Sequence, residues 1–311
     1  MIMKKNLFIL GMMACSMTML GQSKDDSTDK GYYLKLGGSY FLQTAATEFP
    51  VVSGSLPNTD VYAANGTTLL SRETNHGSFG EGFRTGITGG YRFNARIGVE
   101  VGVNYFKSSS KTMVETTNRL IAAGPVFVTG NAIGTISAFD VAPAVVLFLG
   151  EANGFEPYTK VGVIVPVHGD LEIETTRKYT TPVGVVDAFT VEKVLPNPTV
   201  GFMAVVGTTY KLGKKISVYG ELEYRNFTVH GKSKETKSYT ENGVDQLNST
   251  TSFRDGSYAE NHVNYVEKID SNSNSKVTNS AGFDRSKSAD DISSYVGISG
   301  LGLTLGLKYT L

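Results

Sequence analysis

Residues 300–311 constrain this chain more than any other stretch. Leu301, Leu303, Leu305, Leu307, Tyr309 and Leu311 alternate with Gly302, Thr304, Gly306, Lys308 and Thr310. A β-strand repeats every two residues, so this strand carries one wholly apolar face and one small or polar face. No later segment is expected to cover the leucines. In a transmembrane β-barrel lipid covers them, and that is the architecture the pattern predicts.

The first thirty residues agree with export. Met1 to Lys5 is short and basic, Asn6 to Leu20 is mostly apolar, and Gly21-Gln22-Ser23 offers a small-residue exit. This reads as a signal peptide over 1–22, then a polar periplasmic lead-in over 23–30, then the barrel over 31–311. The apolar run is short for a spanning helix. Cys15 is the single cysteine, and Met13-Ala14-Cys15 resembles a lipoprotein processing site, but the apolar run continues through Leu20. Cleavage near Gln22 leaves a mature chain without disulfides. The formal net charge of zero suggests no nucleic-acid partner. No later segment offers ~20 unbroken apolar residues, so the spanning elements are strands.

Eight strands are legible, at about 31–43, 82–94, 96–107, 137–149, 156–171, 199–212, 215–229 and 292–311. The third is the cleanest: Ile97, Val99, Val101, Val103 and Tyr105 alternate with Gly98, Glu100, Gly102, Asn104 and Phe106. Connections alternate strictly between long (44–81, 108–136, 172–198, 230–291) and short. Short periplasmic turns and long external loops are the outer-membrane arrangement, and an even strand count puts both termini in the periplasm. The expected fold is therefore an all-β, eight-stranded, antiparallel up-and-down transmembrane barrel with four long extracellular loops.

Side-chain chemistry fits that reading. Lys35, Arg84, Arg92, Glu100, Asp140, Lys160, Glu221, Glu223, Arg225 and Lys308 share the parity of the non-apolar face. On lipid each cation near the midplane would cost ~2–4 kcal/mol; inside a barrel the two signs pair. They are the predicted interior charge network. Gly98, Gly102, Gly162, Gly207, Gly302 and Gly306 have the same parity and suit a crowded interior. Outward aromatics fall near strand ends and predict two lipid-facing girdles. Tyr32, Tyr91, Phe93, Tyr210 and Tyr309 lie at one interface, and Tyr105, Phe139 and Tyr224, with Tyr40 and Phe83, at the other.

On these residues the chain resembles the small eight-stranded outer-membrane barrels, the group of outer-membrane proteins A, X and W. Its Met-Lys-Lys start and Gly21-Gln22 exit resemble Bacteroidetes-type signals. Relatives commonly end in Phe, and this chain has Leu311 there. The peptidoglycan-binding domain that some relatives carry is not expected here. The resemblance implies residence in the bacterial outer membrane, contact with its lipid, and insertion by the barrel-assembly machinery.

Three functions compete. The first is a non-enzymatic structural or binding barrel whose external loops meet an extracellular partner. The 230–291 connection is strongly polar and is expected to be mobile at its tip. The second is a porin-like pore or lateral route for apolar solutes, with Val146, Phe148, Ile164, Met203 and Val205 lining part of the interior. The third is an enzyme acting on lipid, with His168-Gly169-Asp170 and His230 near the outer rim. His168 is expected to face inward and share a face with Asp170. No serine nucleophile accompanies them in a recognisable motif. His76, His168, His230 and His262 lie in separate segments without ligand spacing, so no metal or cofactor is expected.

Overall fold

The computed structural model describes residues 30–122, 124–197 and 199–311. The signal peptide, Cys15 and all of the lead-in except Lys30 lie outside the described residues. Eight strands form the wall: β1 (Gly31–Gln43), β2 (Gly82–Arg92), β3 (Ile97–Ser108), β4 (Val126–Phe148), β5 (Phe155–Thr181), β6 (Gly201–Lys211), β7 (Ile216–Asn226) and β8 (Gly300–Thr310). Each pairs antiparallel with its neighbours in this order, and β8 pairs back onto β1. The pairings therefore make a closed cycle.

The cycle is staggered. Tyr33 pairs with Gly90, and the partners then run through Glu100, Ala144, Gly162, Met203, Arg225 and Gly300 back to β1 at Gln43. The path returns ten residues beyond its start. For eight strands this stagger corresponds to a tilt of about 40°. An 11-residue strand such as β7 or β8 then rises about 28 Å, close to the ~25 Å apolar band of outer-membrane barrels.

The described residues contain nineteen strands, where the sequence predicts eight. The others lie in the long connections, which are folded rather than loose. β4 begins eleven residues before its expected start, and β5 runs ten residues past its expected end. Lys111–Ala122 pairs with the upper part of β4, Gly184–Asn197 with the upper part of β5, and Thr228–Glu241 with Gly184–Asn197. The hairpin of Asn58–Tyr62 and Leu69–Thr74 adds to one edge of this sheet. His262–Val266 and Ala289–Ile292 add to the other. Together they build a crown above the barrel.

One bulge makes the change from barrel to crown. Pro166 pairs with Asp140 and His168 with Phe139, which leaves Val167 as the extra residue. Below it Val161 and Val165 are exposed; above it Leu171 and Ile173 are buried. The apolar series keeps its odd numbers throughout, yet it crosses from the outer to the inner face. A bulge inserts one residue and so inverts the parity of everything after it. The crown thereby acquires an ordinary interior, with Val52, Phe79, Met113, Val114, Ile136, Leu171 and Ile173 in one cluster with Ile164 and Met203 of the barrel mouth.

The polar connection after Thr228–Glu241 also has a defined fold. It uses hydrogen bonds in place of apolar burial, as Asn, Asp and Ser side chains do in loops. Asn274 bonds the Asp284 and Ser288 carbonyls, and the backbone N–H of Asp284 returns to it. A single turn of helix, α1 (Tyr258–Asn261), packs Ala259 inward.

Candidate functional site

The ten predicted interior charges all lie inside the cycle of strands, none more than 9% exposed. They stand in three tiers. At the end with the short turns, Arg92 bonds Glu156 at 2.6 Å, and Lys308 approaches the same carboxylate at 3.9 Å. Glu156, the second residue of β5, is the member that sequence reasoning missed. The strand's apolar series becomes clear only further on, and that hid its parity.

The middle tier is a square of two lysines and two glutamates. Lys35 meets Glu221 at 2.6 Å and Glu100 at 3.1 Å; Lys160 meets Glu100 at 3.0 Å and Glu221 at 3.1 Å. Tyr33 and Tyr158 donate their hydroxyls to Glu100 and Glu221 at 3.0 and 2.7 Å. Near the crown, Arg84 bonds Glu223 at 2.6 Å and Arg225 bonds Asp140 at 2.7 Å, with Asn104 donating to Asp140 at 2.8 Å. Opposite charges at these distances offset much of the cost of leaving water, and the tyrosines and Asn104 add hydrogen bonds, while Arg84 Nε, Arg225 Nε and Glu223 Oε1 are buried without one.

Rings fill the space that the charges leave, and they rest on the inward glycines. A Cβ at Gly302 would stand 2.6 Å from the Phe41 ring, and one at Gly207 2.8 Å from Tyr158. Above the last tier Phe41, Phe106, Ile164, Met203 and Phe227 are buried. Ser78 and Phe79, from the first long connection, cap them with no exposed surface. The Ser78 hydroxyl accepts from the Ser299 N–H at 3.0 Å and lies 3.0 Å from the Ser299 carbonyl oxygen, pinning this stopper to the chain just before β8.

On the outside of the wall the aromatic residues meet in pairs. Tyr32 and Tyr91 (4.7 Å between centroids), Tyr91 and Phe93 (5.1 Å) and Phe155 and Tyr210 (4.6 Å) lie toward the short turns, on the same level as exposed Tyr309. Tyr40 and Phe83 (4.8 Å) and Tyr105 and Phe139 (4.9 Å), with exposed Tyr224, lie toward the crown. Between the two rows the surface is mostly Leu, Val and Ile, with small residues such as Gly38, Thr85 and Ala204 among them.

The rim histidines do not form the expected arrangement. His168 is exposed, because it follows the bulge that inverts parity. Asp170 instead pairs with Lys193 at 3.2 Å, and this hydrogen bond holds the Lys193 ammonium above its usual range. His230 lies 5.4 Å from Tyr295 with the rings tilted, and Ser293 Oγ is 3.4 Å from its Nδ1. Both histidines line a mainly apolar cavity of about 310 Å³ beside the bulge, with Phe106, Leu171, Val194 and Phe227. It lies where β5 has left β6 and has not yet met Gly184–Asn197. A second cavity of about 300 Å³ lies within the crown. Among the described residues, no cluster of His, Cys, Asp and Glu could hold a metal ion.

A closed cycle of tilted strands, apolar outside between two rows of aromatics and charged within, defines an integral outer-membrane β-barrel. The chain belongs to the family of the outer membrane protein beta-barrel domain, whose pattern matches residues 10–253, and its location is the bacterial outer membrane. Solved structures similar to it include the outer membrane protein OprG from Pseudomonas aeruginosa, with 10% identity, 91% of this chain and 97% of that chain covered, and a TM-score of 0.40. Neisserial surface protein A has 9% identity, coverage of 90% and 97%, and a TM-score of 0.32. The outer membrane protease OmpT from Escherichia coli has 9% identity, coverage of 93% and 99%, and a TM-score of 0.26. No curated protein matches the chain by sequence.

Proposed function

We propose that this protein is a plugged, eight-stranded barrel of the small outer-membrane kind, related to the A, X and W group, and that its working part is the crown. In this reading the short turns and both termini face the periplasm. Residues 1–22 act as a Bacteroidetes-type signal, and the barrel-assembly machinery inserts the mature chain. The two aromatic rows meet lipid at the two interfaces. The barrel is an anchor, and the crown presents a folded, non-enzymatic surface to an extracellular partner.

The observation that carries this reading is the burial of the lumen charges. A water-filled pore would leave them accessible, and here each is enclosed with a partner of opposite sign. An interior of eight strands is just wide enough for side chains to fill. Orientation is tested with single cysteines in the mature chain. Val183→Cys, at the tip of the β5 hairpin, should react with a membrane-impermeant maleimide on intact cells. Lys214→Cys, in a short turn, should react only after the outer membrane is permeabilised. The reverse pattern would overturn the proposal.

A second reading, a lateral route for apolar solutes, draws its support from the 310 Å³ cavity beside the bulge. Uptake of an apolar dye into proteoliposomes that falls on filling the cavity with Ala138→Trp would favour it over the anchor.

A further inference from the structure

The cavity inside the crown has an unbalanced charge. It is lined by Arg119, Arg177 and Arg254 and by Glu192, Asp255 and Glu260, so a count of residues suggests neutrality. The pairing shows otherwise. Glu192 is held by Lys234 at 2.7 Å, Asp255 by Arg285 at 3.3 Å, and Glu260 by Lys276 at 3.5 Å. None of those three cations lines the cavity. Among the described residues, no salt bridge reaches the three arginines that do. Arg119 lies near Asp60, but Arg72 already takes both oxygens of that carboxylate at 2.7 Å. Arg254 bonds only neutral groups, among them the Leu247 carbonyl at 3.1 Å and the Thr236 hydroxyl at 3.3 Å.

Two further features point to an occupant. Thr175, 4% exposed, has a buried hydroxyl with no hydrogen-bond partner in the wall of this cavity. A native interior rarely leaves such a group unpaired, and each exception calls for an explanation. Tyr179 and Phe253 stack face to face, with centroids 4.0 Å apart, and both line the same space. Guanidiniums bind carboxylate and phosphate through paired N–H donors. Hydroxyl and aromatic groups bind the rest of a polyhydroxylated ring. The volume lies at the small end of the ~300–1,000 Å³ typical of ligand sites.

We propose that the crown cavity binds a small acidic sugar, its carboxylate on Arg177 and Arg119 and one hydroxyl on Thr175, with the Tyr179–Phe253 pair as the apolar wall. This rests on the reading of the crown as a binding surface and gives that surface a ligand class. Exposed Arg119 stands at the mouth, and Arg177 and Thr175 stand further in on β5.

The test is calorimetric titration of the refolded full mature chain in detergent with galacturonate, galactose and inorganic phosphate. Galacturonate should bind at least tenfold more tightly than either of the others. Arg177→Gln should weaken it by tenfold or more. Thr175→Val should weaken it severalfold while leaving the unliganded protein as stable as before or more so, since it removes an unpaired buried group. Equal binding of galactose and galacturonate, phosphate binding as tight as galacturonate, or full affinity in Arg177→Gln would each overturn the site. Heat-modifiable gel migration reports that each variant is folded. Absence of galacturonate binding in a correctly oriented barrel overturns the cavity proposal alone. Reversed cysteine labelling overturns the crown reading beneath it.

Discussion

At the scale of single residues, burial decides what an ion pair is worth. Glu223 is 2% exposed and serves Arg84 at 2.6 Å, with Arg225 at 3.5 Å. Glu81 meets Lys111 at the same 2.6 Å, but both side chains are partly exposed. Removing one partner of a buried pair leaves an uncompensated charge and costs about 3–5 kcal/mol. An exposed pair is worth about 0–1 kcal/mol. Glu223→Ala should therefore lower the urea midpoint of the refolded barrel sharply, and Glu81→Ala should hardly move it. Equal shifts would contradict the assignment of the lumen tiers. The ten interior charges were legible from parity alone, because within the apolar band a charged residue is tolerated only on the side away from lipid. Glu156 was not, and neither was the unequal pairing within the crown. Which cation holds which carboxylate depends on contacts between segments far apart in sequence.

At the scale of elements, the bulge at Val167 is the hinge of the design. Strand faces in β1, β3, β7 and β8 could be read directly, since lipid lies on one side along their whole length. β5 defeated that reading because its valines, Leu171 and Ile173 keep one parity while their surroundings change from lipid to a protein core. Only a register shift accommodates both, and nothing in Val165-Pro166-Val167-His168 announces it except a proline in a strand. Deleting Val167 should leave the barrel inserted but turn Leu171 and Ile173 outward. Trypsin should then degrade the crown of this variant while sparing that of the parent. A trypsin-resistant crown in the deletion variant would show that the bulge does not set its facing.

The hairpin of Asn58–Tyr62 and Leu69–Thr74 depends on pH. The Arg72 hydrogen bonds hold the Asp60 carboxyl below its usual range, against a smaller opposing effect of burial. A depressed carboxylate contributes stability above its unfolded value of about 4 and loses it as pH falls through the lower folded value. The protection of amides across residues 58–74, measured relative to their intrinsic exchange rate at each pH, should fall below about pH 4 and hold steady above it. Protection that falls on raising the pH above about 4 instead would contradict the pairing.

At the scale of the whole molecule, the chain changes its solvent along its length. In the wall it is apolar outside and charged within; in the crown it is apolar within and polar outside, like a soluble domain. The long β4 and β5 stay paired on both sides of the bulge that marks that boundary, so the same two strands carry the wall and the crown. The lumen between them is filled by ion-paired charges and rings and stoppered by Phe79. The most direct measurement of this account is single-channel conductance of the refolded mature chain in a planar bilayer, with folding verified by heat-modifiable migration. Folded, inserted protein should pass no steady current. Steady conductance steps from the wild-type chain would contradict it, because they require a continuous water path through the tiers of Lys35, Glu100, Glu221 and Glu223.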